Sequence, residues 1–271
     1  MKLGIVGLGW LGKAVGSYFL ERSITVVGTT RSPHKKTLLE SLGFQVAIWD
    51  SEAESDLREL THCFSGCTHV LINIPPGKVL IPDAYALVCA SAMSFLQKEC
   101  RLIFISSTGI YPNYVLLAKE DTPYSDLIKG SLHLALAEKK MQSLLGERLT
   151  IIRFAGLIGH DRHPAHYLSG KKDLLNGNQP VNLIHIDDCI QLIEKIIVQD
   201  KWDTIYNGCC SDHPTKASYY ENACLSFGIL LPYFSSDSSV ASKKVSNDKS
   251  IIELGMNYKQ LVFSKQSINT K

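Results

Sequence analysis

No CxxC pair and no zinc-finger spacing occurs in this chain, so its eight cysteines form no recognisable metal or redox motif. They read as buried thiols in a reducing compartment, and a cytoplasmic protein is expected. No Lys/Arg cluster exceeds a pair, as at Lys35/Lys36 or Lys243/Lys244, and the net charge is only +2. An extended polyanion surface is thereby excluded: the expected partner is a small molecule, not nucleic acid. An apolar run long enough to span a membrane is also missing, so no membrane partner is expected. The opening LGIVGLGWLG is interrupted by glycines and followed by Lys13, unlike the continuous apolar stretch of a signal peptide.

What is there is the balance of an ordinary globular protein, 45% hydrophobic and 20% charged. Its 271 residues suffice for a nucleotide-binding domain carrying a smaller lobe. Short β-rich runs, LGIVG, ITVVGTT, FQVAIW, HVLINI, RLIFIS and LTIIRF, alternate with helical patterns. The spacing predicts helices over 11–22, 33–42, 52–64, 83–99 and 126–145. Such alternation builds parallel βαβ units with helices on both faces, so the expected fold is a doubly wound α/β Rossmann domain over 1–154. Residues 155–271 are expected to form a small C-terminal substrate lobe interleaved with it. There the loop GLIGHDRHPAHYLSGKK leads to a strand-like VNLIHI, a helix over 187–197 and another over 216–227. No internal repeat is present.

Gly7, Gly9 and Gly12 satisfy GxGxxG between the first strand and first helix. In this context the first glycine permits a tight turn, the second admits a pyrophosphate, the third allows close helix packing, and the helix N-terminus faces the phosphates. Leu11 lies in the same turn; Trp10 either rests on the cofactor or covers the helix start. NAD requires an acid about 20 residues further on. None is there: the second strand ends Gly28, Thr29, Thr30, Arg31, Ser32. Arg31, Ser32 and the hydroxyls of Thr29 and Thr30 suit a 2′-phosphate, with Lys35 nearby, so NADP(H) is the expected cofactor and NAD the alternative. The alternative reading makes Arg31 a solvated side chain and Ser32 a helix cap alone. Asp50 either accepts from the adenine amino group or caps the next helix. Ile74 and Pro75, in the rigid turn INIPP, are expected beside the cofactor.

RLIFISSTGIYP places Ser106, Ser107, Thr108 and Tyr111 at the end of the fifth strand. With the GxGxxG start, VNLIHIDD and the late ELG, the chain resembles the extended short-chain dehydrogenase/reductases, the NAD-dependent epimerase/dehydratase family. GLGWLG and IRFAGLIGHDRHP are similar to its small YeeZ-like branch. The resemblance implies hydride transfer on a small polar or sugar-nucleotide-like substrate, with Ser107 orienting the reacting oxygen and Thr108 and Tyr111 beside it. Ser106 and Ala155 are implied at the cofactor, and a homodimer through the helices after the fourth and fifth strands. The family's tyrosine and lysine are missing: aligning on Glu138 puts Gly130 and Leu134 in their places, and neither transfers a proton. Tyr124, Lys129 and His133 are alternative donors. The literal YxxxK, Tyr167 to Lys171, falls after the sixth strand and reads as coincidence. His160, Asp161, Arg162, His163 and His166 crowd one loop. No glutamate completes a zincin pattern, so no metal is expected. Arg162 and His163 either bind a substrate phosphate or carboxylate or serve the loop's structure. The expected function is an NADP(H)-dependent reductase or epimerase; the alternative is a catalytically inactive NADP(H)-binding redox sensor.

Overall fold

The computed structural model describes residues 1–51, 53, 55–77, 81, 83–124, 129–159, 161–235 and 242–261, and of Lys129 and Gly130 the backbone only. The chain begins β1 (Lys2–Val6), α1 (Trp10–Leu20), β2 (Thr25–Thr30), α2 (Pro33–Ser41) and β3 (Gln45–Ile48). It continues through α3 (Leu57–Phe64), β4 (His69–Ile72), α4 (Ala84–Ser91), β5 (Arg101–Ser107), β6 (Leu117–Ala118), α5 (Lys129–Leu145) and β7 (Leu149–Phe154). Then follow β8 (Gly156–Ile158), α6 (Pro164–Leu168), β9 (Leu183–His185), α7 (Ile186–Val198) and β10 (Thr204–Gly208). The last elements are α8 (Lys216–Phe227), β11 (Lys244–Val245) and α9 (Asp248–Leu254).

One seven-stranded parallel sheet runs β3-β2-β1-β4-β5-β7-β10. Its order reverses beside β1, between the crossovers leading to β2 and to β4, and such a switch point opens a crevice at the carboxyl ends of the strands. The fold is therefore the expected Rossmann-type α/β architecture. Both faces of the sheet are covered, so its strands bury Ile5, Val26, Val27, Leu71, Ile72 and Phe104 almost completely. Contacts divide the chain into two compact units: Met1–Ile110 with Tyr124–Arg153 and Ile190–Tyr206, and Tyr111–Pro123 with Phe154–Cys189 and Asn207–Lys271. The second unit carries the parallel pairs β6 with β11 and β8 with β9. β8 lies in what reads as loop; Leu157 and Ile158 extend because they pair in register with Ile184 and His185.

Two helices are shorter than their patterns. α3 starts at Leu57 because Asp56 caps it, accepting from the N–H groups of Arg58 and Glu59 at 2.9 and 3.2 Å; Glu52, the expected start, lies outside the described residues. α4 stops at Ser91, followed by a 3₁₀ turn over Ala92–Ser94. The hydroxyls of Ser91 and Ser94 donate back to the carbonyls of Val88 and Ser91, which competes with helix continuation. The chain then turns Phe95 under the sheet against Phe64 and Trp49, with ring centroids 5.2 and 5.7 Å apart. α5 is described from Lys129, and the expected start at 126 lies outside the described residues.

In the first unit, α5 is tied to the sheet by a buried ion pair. Arg153, the penultimate residue of β7, donates to Glu138 through Nε at 3.0 Å and Nη2 at 2.7 Å, and both side chains are 7% exposed. Arg153→Ala leaves the Glu138 carboxylate buried without its counter-ion, and should destabilise the protein by about 3–5 kcal/mol. A urea titration with an unchanged midpoint would refute this.

Candidate functional site

The glycine turn between β1 and α1 is held from both neighbouring strands. Gly7 sits at φ +102°, where a Cβ would come 2.5 Å from the carbonyl oxygen of Asn73. Its N–H donates to Thr29 Oγ1 at 3.0 Å, and its carbonyl accepts from Asn73 Nδ2 at 3.3 Å. The N–H of Leu8 donates to the carbonyl of Thr29 at 2.8 Å. At Gly12 a Cβ would lie 2.3 Å from the Gly7 oxygen, so only glycine lets α1 pack this closely. Gly9 differs: no atom lies within 4 Å of where its Cβ would be, and no side chain caps the first turn of α1. Crowding at two glycines and open space at the middle one is the arrangement that admits a phosphate to a helix N-terminus. These residues fit a dinucleotide's pyrophosphate. Leu11 turns its side chain into the core at 3% exposure, leaving its backbone N–H to the turn, and Trp10 is half-buried.

At the end of β2 the structure separates two threonines that sequence treats alike. Thr29 is 1% exposed and its hydroxyl serves the glycine turn, so it does not offer itself to a 2′-phosphate. Thr30 is half-buried, with Oγ1 accepting from the N–H of Ser32 at 3.4 Å. Ser32 Oγ caps α2 by accepting from the N–H of Lys35 at 3.3 Å. Arg31 is exposed and makes no hydrogen bond or ion pair among the described residues. Asp50 bonds Ser55 through its own backbone, and the cap of α3 is Asp56 instead. After β4, Tyr85 donates to the carbonyl of Ile74 at 2.8 Å, fixing that turn against α4, while Pro75 is exposed.

The end of β5 departs most from expectation. Ser106 is buried and donates to Glu138 Oε1 at 2.5 Å, so its hydroxyl is committed to the interior and not to a cofactor. Ser107, half-buried, accepts from the N–H of Gly109 at 3.1 Å and keeps its own proton to give. Thr108 is buried within the following 3₁₀ turn, Thr108–Ile110. A Cβ on Gly109 would lie 3.3 Å from Ser107 Oγ and 3.7 Å from Leu134 Cδ1. Leu134, where the resemblance would have a lysine, therefore lays a methyl group against the turn that follows Ser107. Tyr111 is no catalytic tyrosine: it is 1% exposed and its hydroxyl donates to Asn207 Oδ1 at 2.7 Å inside the second unit.

Also in the second unit, Ala155 is buried with its N–H on the Gly208 carbonyl at 2.9 Å. His163 spends both ring nitrogens on structure. Nδ1 accepts from the N–H of Ala165 at 3.1 Å, capping α6, which assigns the proton to Nε2, 2.8 Å from the Tyr219 hydroxyl. Of the two readings of His163, these hydrogen bonds favour the structural one. Arg162 is exposed on the same loop, His166 stacks on Phe227 at 4.9 Å, and His160 lies outside the described residues. Lys171 places Nζ 3.2 Å over the ring of Tyr167, so the literal YxxxK forms a surface cation–π pair. Among the described residues no three His, Cys, Asp or Glu side chains gather as metal ligands, and no helix is long and apolar enough to cross a membrane.

Burial pushes the His163 pKa down from its ordinary 6.5 to about 4. The unfolded chain takes up this proton from about pH 6.5 downward while the folded chain resists until about 4, so the ring's contribution to stability is complete above 6.5 and lost as pH falls through that window. His163→Asn, which keeps a capping acceptor, should flatten the fall in Tm between those pH values relative to wild type; parallel curves would refute it.

No family model matches the chain. It is 28% identical to Protein YeeZ of Escherichia coli K12 over 265 residues, covering 95% of each chain. A functionally unknown conserved protein from Silicibacter pomeroyi DSS superposes with a TM-score of 0.76 at 21% identity, covering 96% of this chain and 94% of that one. The UDP-glucuronic acid 4-epimerase of Bacillus cereus, in complex with UDP-glucuronic acid and NAD, gives 0.76 at 19%, covering 96% and 95%. The UDP-N-acetylglucosamine 4-epimerase of the same organism gives 0.74 at 14%, covering 96% and 94%. The chain is thus similar to Protein YeeZ along nearly its whole length, and it shares the fold of these epimerase structures.

Proposed function

We propose that this protein binds a nicotinamide dinucleotide, NADP(H) in preference to NAD(H), and acts as a reductase or epimerase on a small polar or sugar-nucleotide-like substrate. The observation that carries the reading is the open space at Gly9 between two crowded glycines. Gly7, Gly9, Leu11 and Gly12 would hold the pyrophosphate through their backbone. Ile74 and Pro75 would line the cofactor, with Trp10 over the turn and Asp50 toward the adenine. Arg31, just past β2 and without a partner among the described residues, together with Ser32 and Thr30, would take the 2′-phosphate, and the sequence puts no acid there to favour NAD. The bound nicotinamide supplies hydride exchange. Ser107, whose hydroxyl donates to no partner among the described residues, would orient the reacting oxygen, with Thr108 in the same turn. Neighbours that bind UDP-sugars and NAD support this substrate class.

Two observations favour a second reading. Leu134 packs where the lysine of a proton relay would stand, and Tyr111 is buried, so an NADP(H)-binding redox sensor without turnover fits the same site. Turnover distinguishes them: NADPH is mixed with nucleotide sugars and aldehydes while nicotinamide absorbance is followed. Oxidation abolished by Ser107→Ala supports the enzyme; tight binding without oxidation across the panel supports the sensor.

Two variants test the cofactor site directly. Gly9→Val should fold with wild-type Tm, since nothing meets its Cβ, yet weaken NADPH binding at least about tenfold by filling the phosphate space. Arg31→Ala should weaken NADPH by about tenfold and leave NADH unchanged. Wild-type affinity in the first would sink the site assignment, and an equal effect on both cofactors in the second would sink the NADP preference.

A further inference from the structure

Three backbone groups at residues 7 and 8 are tied down before any ligand arrives, and two of the ties come from one residue. The Thr29 hydroxyl accepts the Gly7 N–H at 3.0 Å, and the Thr29 carbonyl accepts the Leu8 N–H at 2.8 Å. From the other side of β1, Asn73 Nδ2 donates to the Gly7 carbonyl at 3.3 Å. Gly7 is therefore clamped through both its N–H and its C=O, at a backbone conformation that glycine alone adopts readily, φ +102°. Without the clamp that residue has the wide conformational choice of a glycine, and ordering it would be charged against ligand affinity. The clamp ends where the open space begins, at Gly9.

We propose that Thr29 is a positioning residue: it pre-forms the glycine turn for the pyrophosphate that NADPH and NADH share, and takes no part in reading the 2′-phosphate. This rests on the dinucleotide reading above. It also reverses the role that adjacency to Arg31 suggests for Thr29, because a 1% exposed hydroxyl already accepting from Gly7 is directed to the turn and not to the strand's end.

Thr29→Val preserves shape and the backbone bond to Leu8 while removing the acceptor for Gly7, and Thr29→Ser restores it. Affinity for NADPH and NADH is read by nicotinamide fluorescence, with Tm measured on the same samples. Thr29→Val should weaken both cofactors by the same factor, roughly 3- to 10-fold, the worth of one hydrogen bond. Thr29→Ser should return both to within about twofold of wild type. A loss confined to NADPH would identify a 2′-phosphate contact and overturn the proposal, as would a lowered Tm with both affinities unchanged. Should Thr29→Val not fold, Asn73→Ala releases the other end of Gly7 and carries the same expectation of equal loss, with wild-type affinities there counting against the clamp. A wild-type protein that binds neither cofactor removes the dinucleotide reading itself, an outcome distinct from a variant that binds as well as its parent.

Discussion

The buried pair of Glu138 and Arg153 sets the position of everything at the end of β5. Neither charge is tolerable alone at 7% exposure, so α5 must dock onto β7 in the one register that brings them together. Glu138 then has lone pairs left over, and Ser106 of β5 fills one at 2.5 Å. A single carboxylate thus joins a helix and two strands. The consequences reach the next residues in both chains: Ser107 follows Ser106, and Leu134 precedes Glu138 by one helical turn on the same face of α5. The meeting of Leu134 with the Ser107 turn is a by-product of that docking.

The glycine turn is governed by the same economy of buried polar groups. Backbone N–H and C=O groups removed from water need partners, and a sharp turn at a strand end has no ladder to supply them. Thr29 and Asn73 do so from the strands flanking β1. With those groups settled, the remaining donors at the start of α1 lie where Gly9 leaves room, which is why the turn can serve an anion without first rearranging.

How much of this could be read from sequence follows the length scale of the signal. The central strands and the glycine turn were legible because period, spacing and residue type are local properties. Ser32 as the cap of α2 was legible for the same reason. Side-chain direction was not. Thr29 and Thr30 are adjacent in a strand, as are Ser106 and Ser107, and neighbours in a strand point to opposite faces. Which hydroxyl turns inward is decided by partners far along the chain: Gly7 for Thr29, Glu138 for Ser106 and Asn207 for Tyr111. His163 was left between two readings because a histidine beside an arginine suggests anion binding, while the proline after it starts a helix that needs a cap. Asn73, buried in the apolar word INIPP, gave no sign of its task.

The apolar contact at Ser107 bears on what chemistry the site can perform. A serine hydroxyl is a weak acid, and the Leu134 methyl group beside its turn neither lowers that acidity nor takes a proton. The hydroxyl can donate a hydrogen bond to a substrate oxygen, and so contribute orientation, but it cannot serve as the proton reservoir that a tyrosine and lysine provide. A positioned general acid is worth about 10²- to 10⁴-fold in rate, so a reaction at this site proceeds without that factor unless the proton comes from solvent or from the substrate itself. The pressure then falls on binding geometry, and a turn already clamped before the cofactor arrives is the means by which geometry is secured. An intact cradle beside an apolar relay position is consistent with a reaction whose proton is supplied from outside the protein, and equally with a site that holds its cofactor and waits.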